Sequence, residues 1–188
     1  MRLISYRNYI LTAVLLQSAA TMLLAQGYDL PVGSISTHVG STFSVDEANT
    51  GSYAMSLAAL YPLGGGTVIA RCRVADPEDS GYPRWNRMFV TYRDSDAAAS
   101  QYRVAVSLRR VHVTTGASST IVTFDSNTTA GPGTGVLRRG AEFTHTFDFL
   151  NYAYYLEATI TGPSGIVLVQ PVPALYVVQL AYYEQVPG

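Results

Sequence analysis

The sequence predicts an all-β fold, an antiparallel two-sheet β-sandwich of jelly-roll type with about eight to ten strands. Three observations carry this. Segments rich in Val, Tyr, Phe and Thr alternate apolar and polar residues with a period of two. Clusters of Gly, Pro, Ser, Asn and Asp break them at short intervals, and no long segment beyond Gly27 keeps a 3.6-residue period.

Length and composition bound the rest. A chain of 188 residues holds one ordinary domain plus a processed leader. With 48% hydrophobic and only 13% charged residues it has a large core to bury and is not disordered. The net charge of -1 argues against a nucleic-acid partner. All 12 basic residues are Arg, which nothing in the sequence explains. Cys72 is the single cysteine, so an intramolecular disulfide is impossible and packing must supply the stability.

The first element in the chain is a leader. Arg2 and Arg7 precede an uncharged apolar run from Ile10 to Ala25, the pattern of a signal peptide, with cleavage expected after Ala25 or Gly27. A membrane anchor is the competing reading, but the run falls short of the ~20 residues that span a bilayer, and no later run is long enough. The expected organisation is a signal peptide over residues 1–25, an extension or first strand over 26–45, and one sandwich over 46–188.

Within the sandwich, Tyr53 to Leu63 is ambiguous and has room for a short helix. Val68, Ala70, Cys72 and Val74 alternate with Arg71 and Arg73, which places Cys72 on an inner face as an inert core thiol. From Tyr102 the apolar set is Tyr102, Val104, Val106 and Leu108, then it changes phase to Val111 and Val113, predicting a β-bulge near Arg109-Arg110. Glu142 to Leu150 reads as the clearest strand, with Phe143, His145, Phe147 and Phe149 on one face. Tyr152 to Ile160 repeats that logic after a tight turn or a bend at Asn151. Leu175 to Tyr183, apolar on both faces apart from Gln179, suits a central or covered strand.

The residues from Met88 to Tyr183 also carry a resemblance. Tyr92-x-Asp94-x-Asp96, Leu108-Arg109, the Thr115-Gly116 turn, the Tyr154-Tyr155 strand and the closing strand with Tyr176 and Tyr182 stand in a recurring order. That order resembles a recurrent group of bacterial exported β-sandwich proteins. The resemblance implies a fold and an exported setting, with no reaction attached. Arg84 to Met88 and Gly131 to Gly133 match no part of the pattern.

The candidate binding residues lie in the loop from Asp76 to Arg87. Asp79, Tyr82, Arg84, Trp85 and Asn86 combine aromatic rings with hydrogen-bonding groups, a combination suited to a sugar ring, whose C–H face stacks while its hydroxyls pair. The alternative places Trp85 in the core at the start of a strand. Asp76, Glu78 and Asp79, or Asp94 with Asp96, have calcium-type oxygens but lack the loop spacing, and solvated turns explain them. His38, His112 and His145 are scattered, so no zinc site is indicated; His145 reads as a core or interface histidine with one nitrogen satisfied. No Gly-x-Ser-x-Gly elbow is present. Glu142, Glu157 and Asp148 are the carboxylates from which a glycosidase pair would be drawn. Asn127-Thr128-Thr129 fits the N-glycosylation pattern. Among the 14 tyrosines, Tyr152, Tyr154 and Tyr155, with Tyr176, Tyr182 and Tyr183, either pack within the sheets or form an amphipathic patch suited to subunit contacts or ligand stacking.

The leading expectation is therefore an exported, non-catalytic sandwich that serves as a surface, matrix or assembly component, with itself or an extracellular glycan as partner. No cofactor, metal, nucleic acid or membrane span after the leader is expected. The alternative is a carbohydrate-binding module using the Tyr82–Trp85 loop, and the third reading is a secreted glycan hydrolase.

Overall fold

The structure is a computed structural model that describes residues 35–47, 53–63, 65–77, 83–94, 96, 101–128, 135–162 and 172–184. All of them belong to one unit, Pro31–Gly188. The expected leader lies outside the described residues. No described helix is long and apolar enough to cross a membrane.

Eleven strands are described: β1 (Ser36–Val39), β2 (Ser44–Val45), β3 (Tyr53–Ser56), β4 (Ala59–Pro62), β5 (Gly66–Val74), β6 (Arg87–Arg93), β7 (Arg103–His112), β8 (Ser118–Asp125), β9 (Val136–Glu142), β10 (Tyr152–Gly162) and β11 (Ala174–Ala181). The first sheet runs β3-β4-β11-β6-β9, with β1 also paired to β11. The second runs β2-β5-β10-β7-β8. Every described pair is antiparallel. From β4 onward the chain crosses repeatedly between the sheets, as a jelly roll does.

The two inner faces make one core. On β10, Tyr154, Leu156, Ala158 and Ile160 point inward, and on β6, Met88, Val90 and Tyr92 do the same. Val178 and Leu180 of β11 are buried as well, and β11 lies between β4 and β6 in the first sheet, the central position its composition suits. Fully burying such a side chain contributes about 1.5–3 kcal/mol.

Three expectations change. Tyr53 to Leu63 holds no helix: it is the β3–β4 hairpin, turning through Leu57 at φ 54°. The alternation of β7 is unbroken, so that Val111 faces outward while Arg110 and His112 lie opposite Tyr154 and Tyr152. The irregularity does fall between Leu108 and Arg109, but the extra residue is Ile121 on β8, because Leu108 faces Val122 and Arg109 faces Thr120.

The third change concerns Glu142 to Leu150, where the paired strand ends at Glu142. The following residues keep their alternation without a sheet partner, with Phe147 buried and Phe143 and Phe149 packed on the core. Phe147 meets Trp85 edge-on at 5.1 Å and Tyr154 at 4.9 Å, so the segment covers the core with rings. A tight turn then leads into β10. Asp148 fixes it, with Oδ1 accepting from the Leu150 and Asn151 amides and Oδ2 from the Asn151 side chain.

Cys72 stands on the inner row of β5 but is only half-buried, with its Sγ 3.4 Å from His38 Nδ1. Burial pushes the thiol's pKa up and lowers that of His38, so both are neutral near pH 7.

Candidate functional site

Strand alternation sends Arg87, Phe89, Thr91 and Arg93 of β6 to the outer face of the first sheet, while Met88, Val90 and Tyr92 enter the core. Register then decides their neighbours. Gly140 of β9 lies on one side of Phe89 and Gln179 of β11 on the other, and Gln179 in turn faces Thr37 of β1. The row crosses four strands, about 14 Å at the usual strand spacing.

Phe89 anchors this row. A Cβ at position 140 would stand 3.1 Å from the ring, so glycine there leaves the ring room to lie against the sheet. The Arg138 guanidinium sits 4.0 Å from the ring centroid and donates to Gln179 Oε1 at 2.9 Å. The Gln179 amide passes the chain on to Thr37 Oγ1 at 3.2 Å.

Beyond the end of β11, Tyr183 packs against Phe89 at 5.1 Å, and Arg87 lies 5.3 Å from the tyrosine ring. Asn86 holds this arrangement. Its Nδ2 donates to the Tyr183 carbonyl at 2.8 Å and its Oδ1 accepts the Tyr183 amide at 2.9 Å, which extends the ladder by a side chain. The Asn86 carbonyl also accepts the Phe143 amide at 2.8 Å.

Between these groups lies a cleft of ≈ 450 Å³ lined by Asn86, Arg87, Glu142, Phe143, Thr144, Tyr182 and Tyr183. That volume falls within the range of small-ligand sites, roughly 300–1,000 Å³. Arg87 and Glu142 form an ion pair across it, with the Glu142 side chain 59% exposed. The lining thus offers aromatic surface beside a carboxylate, a guanidinium and a hydroxyl, which together can stack on a ring and pair with several hydroxyls.

The outer face of the second sheet is different in kind. Glu157 is held by Arg109 at 2.6 Å and Arg71 at 2.8 Å, and Arg71 also reaches Asp46. Burial would raise the Glu157 carboxyl, but its bonds to Arg109 and Arg71 outweigh that and hold it below its ordinary value. Asp125 pairs with Arg103 in the same way. On this face four of the charged groups, Arg71, Arg103, Arg109 and Glu157, are paired with one another or with Asp46 and Asp125, while Arg73 stands exposed.

The residues expected from the sequence are distributed unevenly. Trp85 is 2% exposed and belongs to the core, so it presents no face to a ligand; burial against Phe147 wins over the loop position. Asn86 does reach the cleft, but its amide is committed to Tyr183. Arg84 is exposed. Asp79 and Tyr82 lie outside the described residues. Tyr182 and Tyr183 belong to the tyrosine set from which a stacking patch is one of the two expectations, whereas Phe89, Arg138 and Gln179 are not singled out by the sequence, because residues far apart in the chain assemble the site.

The other chemical candidates resolve as well. Glu142 points outward from the first sheet and Glu157 outward from the second, so the sandwich separates them, and Asp148 spends both oxygens on its turn. His145 Nε2 lies 3.1 Å from the Tyr154 hydroxyl, and burial, then Arg110, lowers its pKa. It is part-buried against Phe147 and Tyr154, with one nitrogen satisfied. Among the described residues no three of His, Cys, Asp and Glu come together as a metal-ligand set. Tyr92, Tyr102 and Tyr154 are core residues, whereas Tyr182 and Tyr183 line the cleft.

No protein-family model matches the chain, and no curated protein is similar to it in sequence. Among solved structures, it is similar to the xylan-binding module CBM86 from the gut symbiont Roseburia intestinalis at 11% identity and a TM-score of 0.41, over 79% of this chain and 95% of that one. A xylan-binding module CBM15 shares 10% identity at a TM-score of 0.44, over 82% of this chain and 100% of that one. A structure of infectious bursal disease virus shares 11% identity at a TM-score of 0.32, over 82% of this chain and 34% of that one.

Proposed function

We propose that the chain is an exported, non-catalytic module that binds a glycan on the outer face of the first sheet. The observation that carries this reading is the cleft beside Tyr183, where two tyrosines and Phe143 stand with the Arg87–Glu142 pair and Thr144. Polyhydroxylated rings need flat apolar contact and paired donors and acceptors at once, and the lining supplies both. The separation of Glu142 and Glu157 on opposite faces supports binding over hydrolysis, since a glycosidase needs two carboxylates flanking one bond. The basic and apolar leader supports the exported setting. The site differs from the one expected at Trp85, while the ligand class is that of the alternative expectation.

Affinity electrophoresis of the full chain against neutral and acidic polysaccharides, xylan included, tests the proposal. Retardation by at least one polymer is expected, lost or weakened about tenfold in Tyr183→Ala with the melting curve still cooperative. Absence of retardation across the panel sinks the glycan reading and returns weight to a surface or assembly component.

A further inference from the structure

We infer that the bound glycan is acidic, and that Arg138 receives its carboxylate; this rests on the glycan reading above. Along β6, β9, β11 and β1 the described outward side chains include three arginines, Arg87, Arg93 and Arg138, against one carboxylate, Glu142. Glu142 is taken by Arg87. Arg93 turns its Nε to the Val172 carbonyl at 2.9 Å. Arg138 is left exposed with a neutral amide oxygen, that of Gln179, as the side-chain acceptor it meets.

The geometry of Arg138 fits a planar anion. Its guanidinium is fixed over Phe89 at 4.0 Å and tied at one nitrogen to Gln179, so little freedom remains to be lost when a ligand pairs with it. A guanidinium presents five donors in a fork that matches a carboxylate with two parallel bonds. Arg87, the cation nearest the cleft, lies 5.7 Å from the same ring, so the cleft and Arg138 share one continuous aromatic floor. A uronic-acid residue meets both requirements, with hydroxyls for the cleft and a carboxylate for Arg138. On the second sheet Glu157, Asp125 and Asp46 already take Arg71, Arg109 and Arg103, and the exposed Arg73 that remains has no ring or side-chain acceptor among the described residues to hold it as Phe89 and Gln179 hold Arg138. With a net charge of -1, the chain does not attract polyanions as a whole, so any preference must be local.

The test compares a uronate-bearing oligosaccharide with its carboxyl-reduced, neutral counterpart by titration calorimetry on the full chain. The acidic form is expected to bind about tenfold or more tightly, as a hydrogen bond to a charged group allows. Arg138→Gln should erase that preference while leaving the neutral form's affinity near its original value. Arg73→Gln, on the opposite sheet, removes the same charge and should change neither. Equal affinity for both forms overturns the acidic assignment and leaves the glycan reading standing; binding of neither form defeats the glycan reading itself. A sulfated, uronate-free glycan that binds as well as the uronate also overturns the carboxylate assignment.

Discussion

Asp94 is the one buried carboxylate among the described residues. It follows the end of β6 at 1% exposure, and neither its Oδ2 nor the Oδ1 of Asp96 has a hydrogen-bond partner among the described residues. Burial, offset in part by Ser126 and reinforced by Asp96, raises its pKa from 3.8 to about 6. A carboxyl raised in the folded state binds its proton more tightly there than in the unfolded chain. Its cost is therefore fully present above pH 6 and is relieved as pH falls toward 3.8. Asp94→Asn removes the charge and lets an amide donate toward Asp96. The variant should be more stable than the parent at pH 8, by up to about 3 kcal/mol, with the gap closing by pH 4. Urea unfolding at both pH values checks this, and a gap independent of pH would show that Asp94 does not titrate as described. His38 and His145, lowered by burial, act with the opposite sign and destabilise as pH falls through 6.5, which is why the difference between variant and parent is the quantity to follow.

Elements were legible in the sequence where alternation and pairing coincide. β10 is flanked by β5 and β7, and its period of two is complete from Tyr152 to Ile160. The Phe143–Phe149 run alternates as cleanly but, past the single bond from the Phe143 amide to Asn86, joins no strand, because alternation reports which side meets the core and is silent on whether a neighbouring strand has a free edge. β9, with the sequence VLRRGAE, is half polar and sits at the sheet edge, so its pattern is faint and it had not been marked. The candidate row was hidden for a related reason: Thr37, Phe89, Arg138, Gln179 and Tyr183 meet only through register. The one local signal was Phe89 alternating outward between Arg87 and Arg93. Asn86 joins two of these elements, so Asn86→Ala should do more than remove a surface amide. It leaves the Tyr183 amide and carbonyl without their partners, at a cost of about 1–3 kcal/mol, and loosens the tyrosine side of the cleft. A lowered melting temperature together with weakened glycan retardation is expected; unchanged retardation would detach Tyr183 from the site.

For the molecule as a whole, the two sheets must hold without a covalent staple, since Cys72 has no partner cysteine. Packing between faces carries the load, and Trp85 is the largest ring in that core, meeting Phe147 edge-on. Truncating such a ring leaves a cavity that the sheets cannot close without breaking register, and Trp85→Ala should cost about 3–5 kcal/mol. The same burial makes the single tryptophan a reporter of the whole fold. Its emission should be blue-shifted and poorly quenched by acrylamide in the native chain, then shift and become quenchable in one step with unfolding. Saturating glycan should leave native quenching unchanged yet raise the unfolding midpoint, because the ligand occupies the outer face while it stabilises the folded state by mass action. Ready quenching in the native chain that the glycan abolishes would place Trp85 at the ligand and restore the loop site first expected from the sequence. A midpoint that rises while quenching stays constant would locate the ligand on the far side of the first sheet from its core.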